Sequence, residues 1–154
     1  MDIQGREPVD PHPAENVTEH VGYRLKRAHA GLRGAMDRAL RAHGLTVPQY
    51  SCLEVLAARP DLSNAELARA TFVTRQSMNV VLRGLLDAGL TARPDTVETG
   101  RARPVRLTDE GRRLLTAAQT SVYAIEARMI RAVPGDRLTV LLQDLDGMAR
   151  ALEE

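Results

Sequence analysis

Between Val73 and Leu90, apolar residues recur at Met78, Val81, Leu82, Leu85 and Leu86, the i, i+3, i+4, i+7, i+8 spacing of one helical face. Arg75, Gln76, Asn79 and Arg83 fall on another side, and no acid follows them before Asp87. The same periodicity at Val21, Leu25, Ala28, Leu32, Met36 and Leu40 predicts a first helix that starts near residues 16–18. Gly44 is its natural stop, and Gly31 and Gly34 inside it permit a bend or a close helix approach. Thr46 and Gln49 form a Thr-x-x-Gln capping box, with Pro48 in the first turn, and so predict a second helix that Pro60 ends. Ser63 and Glu66 repeat the device for a short third helix, and a turn at 71–73 leads to Thr74, the expected cap of the fourth.

After Gly89 the pattern changes from a helical period to a Thr-, Val- and Arg-rich stretch with a turn signal at Thr99-Gly100, which predicts a small β-hairpin. Pro104 suits an edge strand. Helix resumes at Thr108, a cap followed by Asp109 and Glu110 at the positive end of the helix dipole, and runs to about Val133. Pro134-Gly135-Asp136 interrupts it, and a last helix carries Leu138, Leu141, Leu142, Leu145, Met148 and Leu152. The segment 1–15 is polar and Pro-rich, with no apolar core of a signal peptide, and reads as a flexible arm. Residues 16–154 then form one domain: a lobe at 46–107 between helices at 16–43 and 108–152.

Composition narrows the fold. Aromatics are only 3% of the 154 residues, without Trp and with one Phe, so the core is expected to be Leu, Val, Ala and Met in helices. A single cysteine, Cys52, excludes an internal disulfide framework and suits a reducing, cytoplasmic setting. No apolar run is long enough to span a bilayer, and no membrane partner is expected. The net charge of +1 hides an uneven distribution: residues 63–107 hold seven arginines against four acids.

Short capped helix, tight turn, donor-rich helix and arginine-rich hairpin together have the order of a winged helix-turn-helix. The fold class is therefore mainly α, with a two-stranded β-wing flanked by N- and C-terminal helices. Double-stranded DNA is the expected partner. Arg pairs bidentately with guanine O6 and N7, and Gln or Asn with adenine N6 and N7, so Arg75, Gln76, Ser77 and Asn79 are assigned to base edges. Ser63, Asn64, Thr74 and Arg83 are assigned to phosphates, and Arg101 and Arg103 to the minor groove, whose negative potential attracts arginine. A carboxylate on that face would repel the phosphates.

From about residue 18 to 152 the sequence resembles MarR-family transcriptional regulators. The resemblance rests on "LTVPQYSCLEVLA", on "SNAELARATFVTRQSMNVVLRGLLDAGL", and on the wing closing in "RPVRLTDEGRRLL", where Leu107-Thr108-x-x-Gly111 is its most specific piece. It implies a homodimer through the first and last two helices, the fourth helix in the major groove, the wing in the minor groove, and repression relieved by a small aromatic or anionic ligand. The chain departs from the family at Thr99-Gly100-Arg101, where Asp-Arg-Arg is common, and at Val80, where many members have Arg.

Other readings stand beside this one. Cys52, among Leu53, Val55 and Leu56, reads as a buried hydrophobe, and family thiol sensors carry their cysteine near the start of the first helix. His12, His20, His29 and His43 lack metal-ligand spacing, and no cofactor or metal is expected. Met36, Met129 and Met148 read as core filler, and Tyr23 with Arg27 as a surface or intersubunit pair. No nucleophile motif, phosphate-cradling loop or paired carboxylates occur, so an enzyme is not expected. The alternative function is a winged-helix protein-interaction module without sequence-specific DNA binding.

Overall fold

The computed structural model describes residues 16–94 and 104–153. The chain divides into a unit that ends at Gly34 and a larger one that begins at Ala35. In the first, Asn16 caps a 3₁₀ turn at Val17–Glu19 by accepting from the Thr18 N–H, and extended His20 separates this turn from α1 (Val21–Arg41). The first helix thus begins later than its periodicity predicts, because the Asn16 cap closes a single short turn. Val21 and Leu25, on its apolar stripe, are exposed.

The larger unit follows the predicted order: α2 (Val47–Ala58), α3 (Asn64–Ala70), α4 (Arg75–Asp87), β1 (Thr91–Ala92), β2 (Arg106–Leu107), α5 (Asp109–Ile130) and α6 (Gly135–Arg150). Both capping boxes form. The Thr46 and Gln49 side chains each accept from the other's backbone N–H, and Ser63 and Glu66 do the same. α2 is apolar nearly all round and sits centrally, packing on α3, α4, α5 and β2. Its Cys52, Leu53 and Leu56 meet Leu67 of α3, Met78, Leu82 and Leu85 of α4, and Leu115 of α5 in one core. Tyr50 lies fully buried in this core, against the expectation of an aliphatic interior. Its hydroxyl makes burial tolerable by donating to Glu54 Oε1 at 2.7 Å.

The wing strands pair antiparallel, Thr91 with Leu107 and Ala92 with Arg106. A bridge between Leu62 and Val105 adds a third segment that the sequence pattern does not signal. Beside it, the Arg106 guanidinium donates two hydrogen bonds to the Asp61 carboxylate. These contacts tie the wing's returning strand to the loop before α3. Arg101, Arg103, the expected Thr99-Gly100 turn and the 1–15 arm lie outside the described residues.

The end of α4 and the start of α5 meet at one junction. Gly89 adopts φ +71° and closes α4, with the Leu90 N–H bonding back to Leu85 O at 2.9 Å. Leu90 O then accepts from the Thr108 N–H at 3.1 Å, while the Thr108 hydroxyl donates to Gly89 O at 2.7 Å and accepts from the Gly111 N–H. A β-carbon at Gly111 would stand 2.1 Å from Leu90 O. This contact accounts for the Leu107-Thr108-x-x-Gly111 pattern.

α5 ends at Ile130, before Pro134, and α6 buries none of its residues. Met129 and Met148, expected to fill the core, are 47% and 41% exposed, because α6 and the end of α5 reach past what this core encloses.

Gly111→Ala is expected to destabilise the fold by about 1–3 kcal/mol through overpacking, although alanine normally stabilises a helix interior. Urea unfolding measures it; a stability equal to or above the parent would contradict the close approach to Leu90 O.

Candidate nucleic-acid interface

α3 and α4 form the helix-turn-helix. Leu67 and Ala68 of α3 face Met78 and Leu82 of α4 across the core, and Val73 packs half-buried in the turn. That inward packing leaves the other side of α4 to solvent: Arg75, Gln76, Ser77, Asn79, Val80 and Arg83 are all exposed. The first turn of α4 holds no acid, so its free N–H groups and the positive dipole end add to the arginine charge. Neither Arg75 nor Arg83 makes an ion pair with a described residue.

The capping residues are held locally. Thr74 accepts from the Ser77 N–H at 3.1 Å and donates its hydroxyl to Ser77 Oγ at 3.0 Å, which leaves the Ser77 proton available outward. Ser63 Oγ donates to Glu66 Oε2 at 2.6 Å and accepts from the Glu66 N–H, so the hydroxyl assigned to a phosphate is engaged by its own cap. That cap and the Arg69 charge hold the Glu66 carboxyl below its usual range. Asn64 turns toward α4, where its Nδ2 donates to Asn79 Oδ1, and its own Oδ1 is buried without a partner.

One residue at this surface escaped the sequence reading. Phe72, the single phenylalanine, occupies the turn between α3 and α4 with φ +58° and stands 95% exposed. The Val73 N–H bonds back to Ala68 O at 3.0 Å, so Phe72 fills the left-handed closing position where glycine is usual. A bulky side chain there costs roughly 1–3 kcal/mol. The only legible signal was the odd presence of a phenylalanine next to the cap of a polar-faced helix.

The Asp61–Arg106 pair braces the wing from outside the hairpin, and Arg106 keeps the Asp61 carboxyl below its usual range. It offers a brace in a chain that lacks Asp-Arg-Arg at 99–101. The histidines show no clustering: among the described residues no group of His, Cys, Asp and Glu could hold a metal, and His43 Nε2 lies 3.2 Å from Ser121 Oγ of α5. No described helix is long and apolar enough to cross a membrane.

Cys52 is fully buried, and desolvation pushes its thiol up to about 12. The unfolded thiol ionises near 8.5, so this burial stabilises the fold below that pH, and the contribution is lost as pH rises toward 12. Iodoacetamide at pH 8 is therefore expected to leave the native protein unmodified and to alkylate it in urea. Rapid labelling of the native protein by mass spectrometry would refute the inert assignment.

Comparison with known proteins agrees with this geometry. The MarR family pattern matches residues 43–102. The HTH-type transcriptional repressor Rv2887 of Mycobacterium tuberculosis is 48% identical over 110 residues, which cover 71% of this chain and 79% of the relative. The fold is similar to that of the M. tuberculosis Rv2887 complex with DNA, with TM-score 0.69 and 40% identity over 84% of this chain and 97% of the other. The Rv2887 complex with salicylic acid is similar too, with TM-score 0.68 and 42% identity over 84% of this chain and 96% of the other. The chain belongs to the MarR family of winged helix-turn-helix, DNA-binding transcriptional regulators.

Proposed function

We propose that this protein is a repressor that binds a pseudo-palindromic operator as a homodimer and releases it on binding a small aromatic carboxylate. The observation that carries the reading is the exposed, acid-free row Arg75, Gln76, Ser77, Asn79 and Arg83 on a helix whose opposite side is locked into the core. The row is rich in donors at the N-terminal end of a helix, which is the geometry of major-groove recognition. Arg75, Gln76, Ser77 and Asn79 meet base edges, and Val80 and Phe72 add apolar surface for thymine methyls or sugars. Thr74 and Arg83 contact phosphates, and Arg101 and Arg103 reach the minor groove. The effector class follows from the salicylic acid complex of the relative.

The homodimer rests on α6, which exposes Val140, Leu142 and Met148 together with half-exposed Leu141 and Leu145. An isologous interface is the usual way to cover such a face. Two copies would place their recognition helices in successive major grooves about 34 Å apart.

Selection of bound fragments from random DNA is expected to return an inverted repeat, bound with a steep salt dependence. Asn79→Ala is expected to lose about 1–3 kcal/mol of discrimination at one base position, whereas Arg101→Ala weakens all sites alike. Weak binding without sequence preference would instead favour the protein-interaction module. Light scattering is expected to give a dimer at micromolar concentration, and the double variant Leu142→Asp, Leu145→Asp a monomer that binds the operator poorly. A parent protein that is monomeric under those conditions would refute the interface.

A further inference from the structure

The buried residues of α4 are Met78, Leu82 and Leu85. At 3.6 residues per turn, Val80 stands about 140–160° around the helix from each of them, at the pole that points away from the core. It is 69% exposed. Its neighbours one turn before and after are Gln76, Ser77, Arg83 and Gly84. The first three are exposed polar residues, and the glycine has no side chain. The outermost side chain of the recognition helix is therefore an apolar one in a polar frame. Helix propensity gives no reason for it, because a β-branched residue is a poorer helix former than Gln or Arg.

We propose that Val80 reads the C5-methyl group of a thymine, so that the operator carries a required thymine in each half-site. This rests on the assignment of α4 to the major groove. The base edges there offer hydrogen-bond acceptors, hydrogen-bond donors and one apolar group, the thymine methyl. Valine pairs with neither kind of polar edge. Against guanine, adenine or cytosine it displaces water from groups that it cannot hydrogen-bond, which weakens binding. Against thymine it covers a methyl, and both partners lose apolar surface to water. The preference thus combines a gain with one base and a penalty with the other three.

The position of Val80 on α4 favours a base over the backbone. A helix lying in the major groove turns its outward pole to the base edges and its flanks to the two phosphate walls. Val80 holds the pole, with Arg83 and Ser77 about 60° to either side. Gln76 lies one turn earlier on nearly the same line, about 6 Å along the axis, so its base and the thymine fall within about two base pairs.

Deoxyuridine in place of thymine removes the methyl and leaves every hydrogen-bonding group of the base pair intact. The operator selected from random DNA is therefore substituted at one thymine at a time, and binding is titrated at fixed salt. The parent is expected to lose about fourfold at one thymine of a half-site, the worth of one buried methyl. That thymine is expected within about two base pairs of the position whose preference Gln76→Ala relaxes. In Val80→Ser, which replaces the two methyls by a hydroxyl, the same deoxyuridine is expected to cost nothing. Val80→Ile keeps the apolar contact and is expected to keep the loss. Thermal melting checks that both variants fold.

If the parent is indifferent to every deoxyuridine, the role of Val80 is overturned. It is overturned equally if each sensitive thymine stays sensitive in Val80→Ser, since another residue, such as Phe72, then reads the methyl. In either case a base preference relaxed by Gln76→Ala or Asn79→Ala shows that α4 still reads DNA. If selection returns no preferred sequence, the assignment of α4 to base reading fails, and the inference fails with it.

Discussion

The contact that most of the lobe depends on is the approach of Leu90 O to the first turn of α5. The Thr108 N–H reaches that carbonyl at 3.1 Å, and a side chain at Gly111 would stand 2.1 Å from it. Three elements are set by this one junction: the end of the recognition helix, the root of both wing strands, and the direction of α5. Gly89, in the left-handed region, lets the chain leave α4 toward this point, and Thr108 bonds to the consecutive carbonyls of Gly89 and Leu90. Shift the junction and the wing strands move relative to α4.

α4 works under a second constraint. Its inner side must pack Met78, Leu82 and Leu85 tightly enough to hold the helix, while its outer side keeps unpaired donors in water. Water-exposed arginines and amides are tolerated cheaply because solvent satisfies them until a nucleic acid replaces it. The turn before the helix is less economical, since Phe72 holds a strained backbone while fully exposed. Backbone strain clusters at functional sites, and Phe72 stands beside the exposed polar side of α4.

Much of this was legible in the residues themselves. The caps at Thr46, Ser63, Thr74 and Thr108 form as read, because each bond spans three residues and needs only local helical geometry. The inner stripe of α4 and burial of Cys52 also follow from spacing. Where a stripe was assigned to the core by period alone, Met129 and Met148 proved exposed, since periodicity shows that a face is apolar but not what covers it. Tyr50 was missed for a related reason: its acceptable burial depends on Glu54 one turn away as well as on the aromatic count.

What the sequence by itself determined is therefore the order of the helices, their caps, and the two-sided character of the recognition helix, all set by interactions within a few residues. The tertiary structure alone decided the Leu62–Val105 bridge, the Asp61–Arg106 brace, the close approach at Gly111 and the pairing of Asn64 with Asn79. Each joins residues brought together only when the helices pack, and short polar side chains give no periodic signal of such partners. For Asn79 the difference matters chemically. Its residue type offers donors and an acceptor, and the neighbouring helix engages one lone pair of that acceptor.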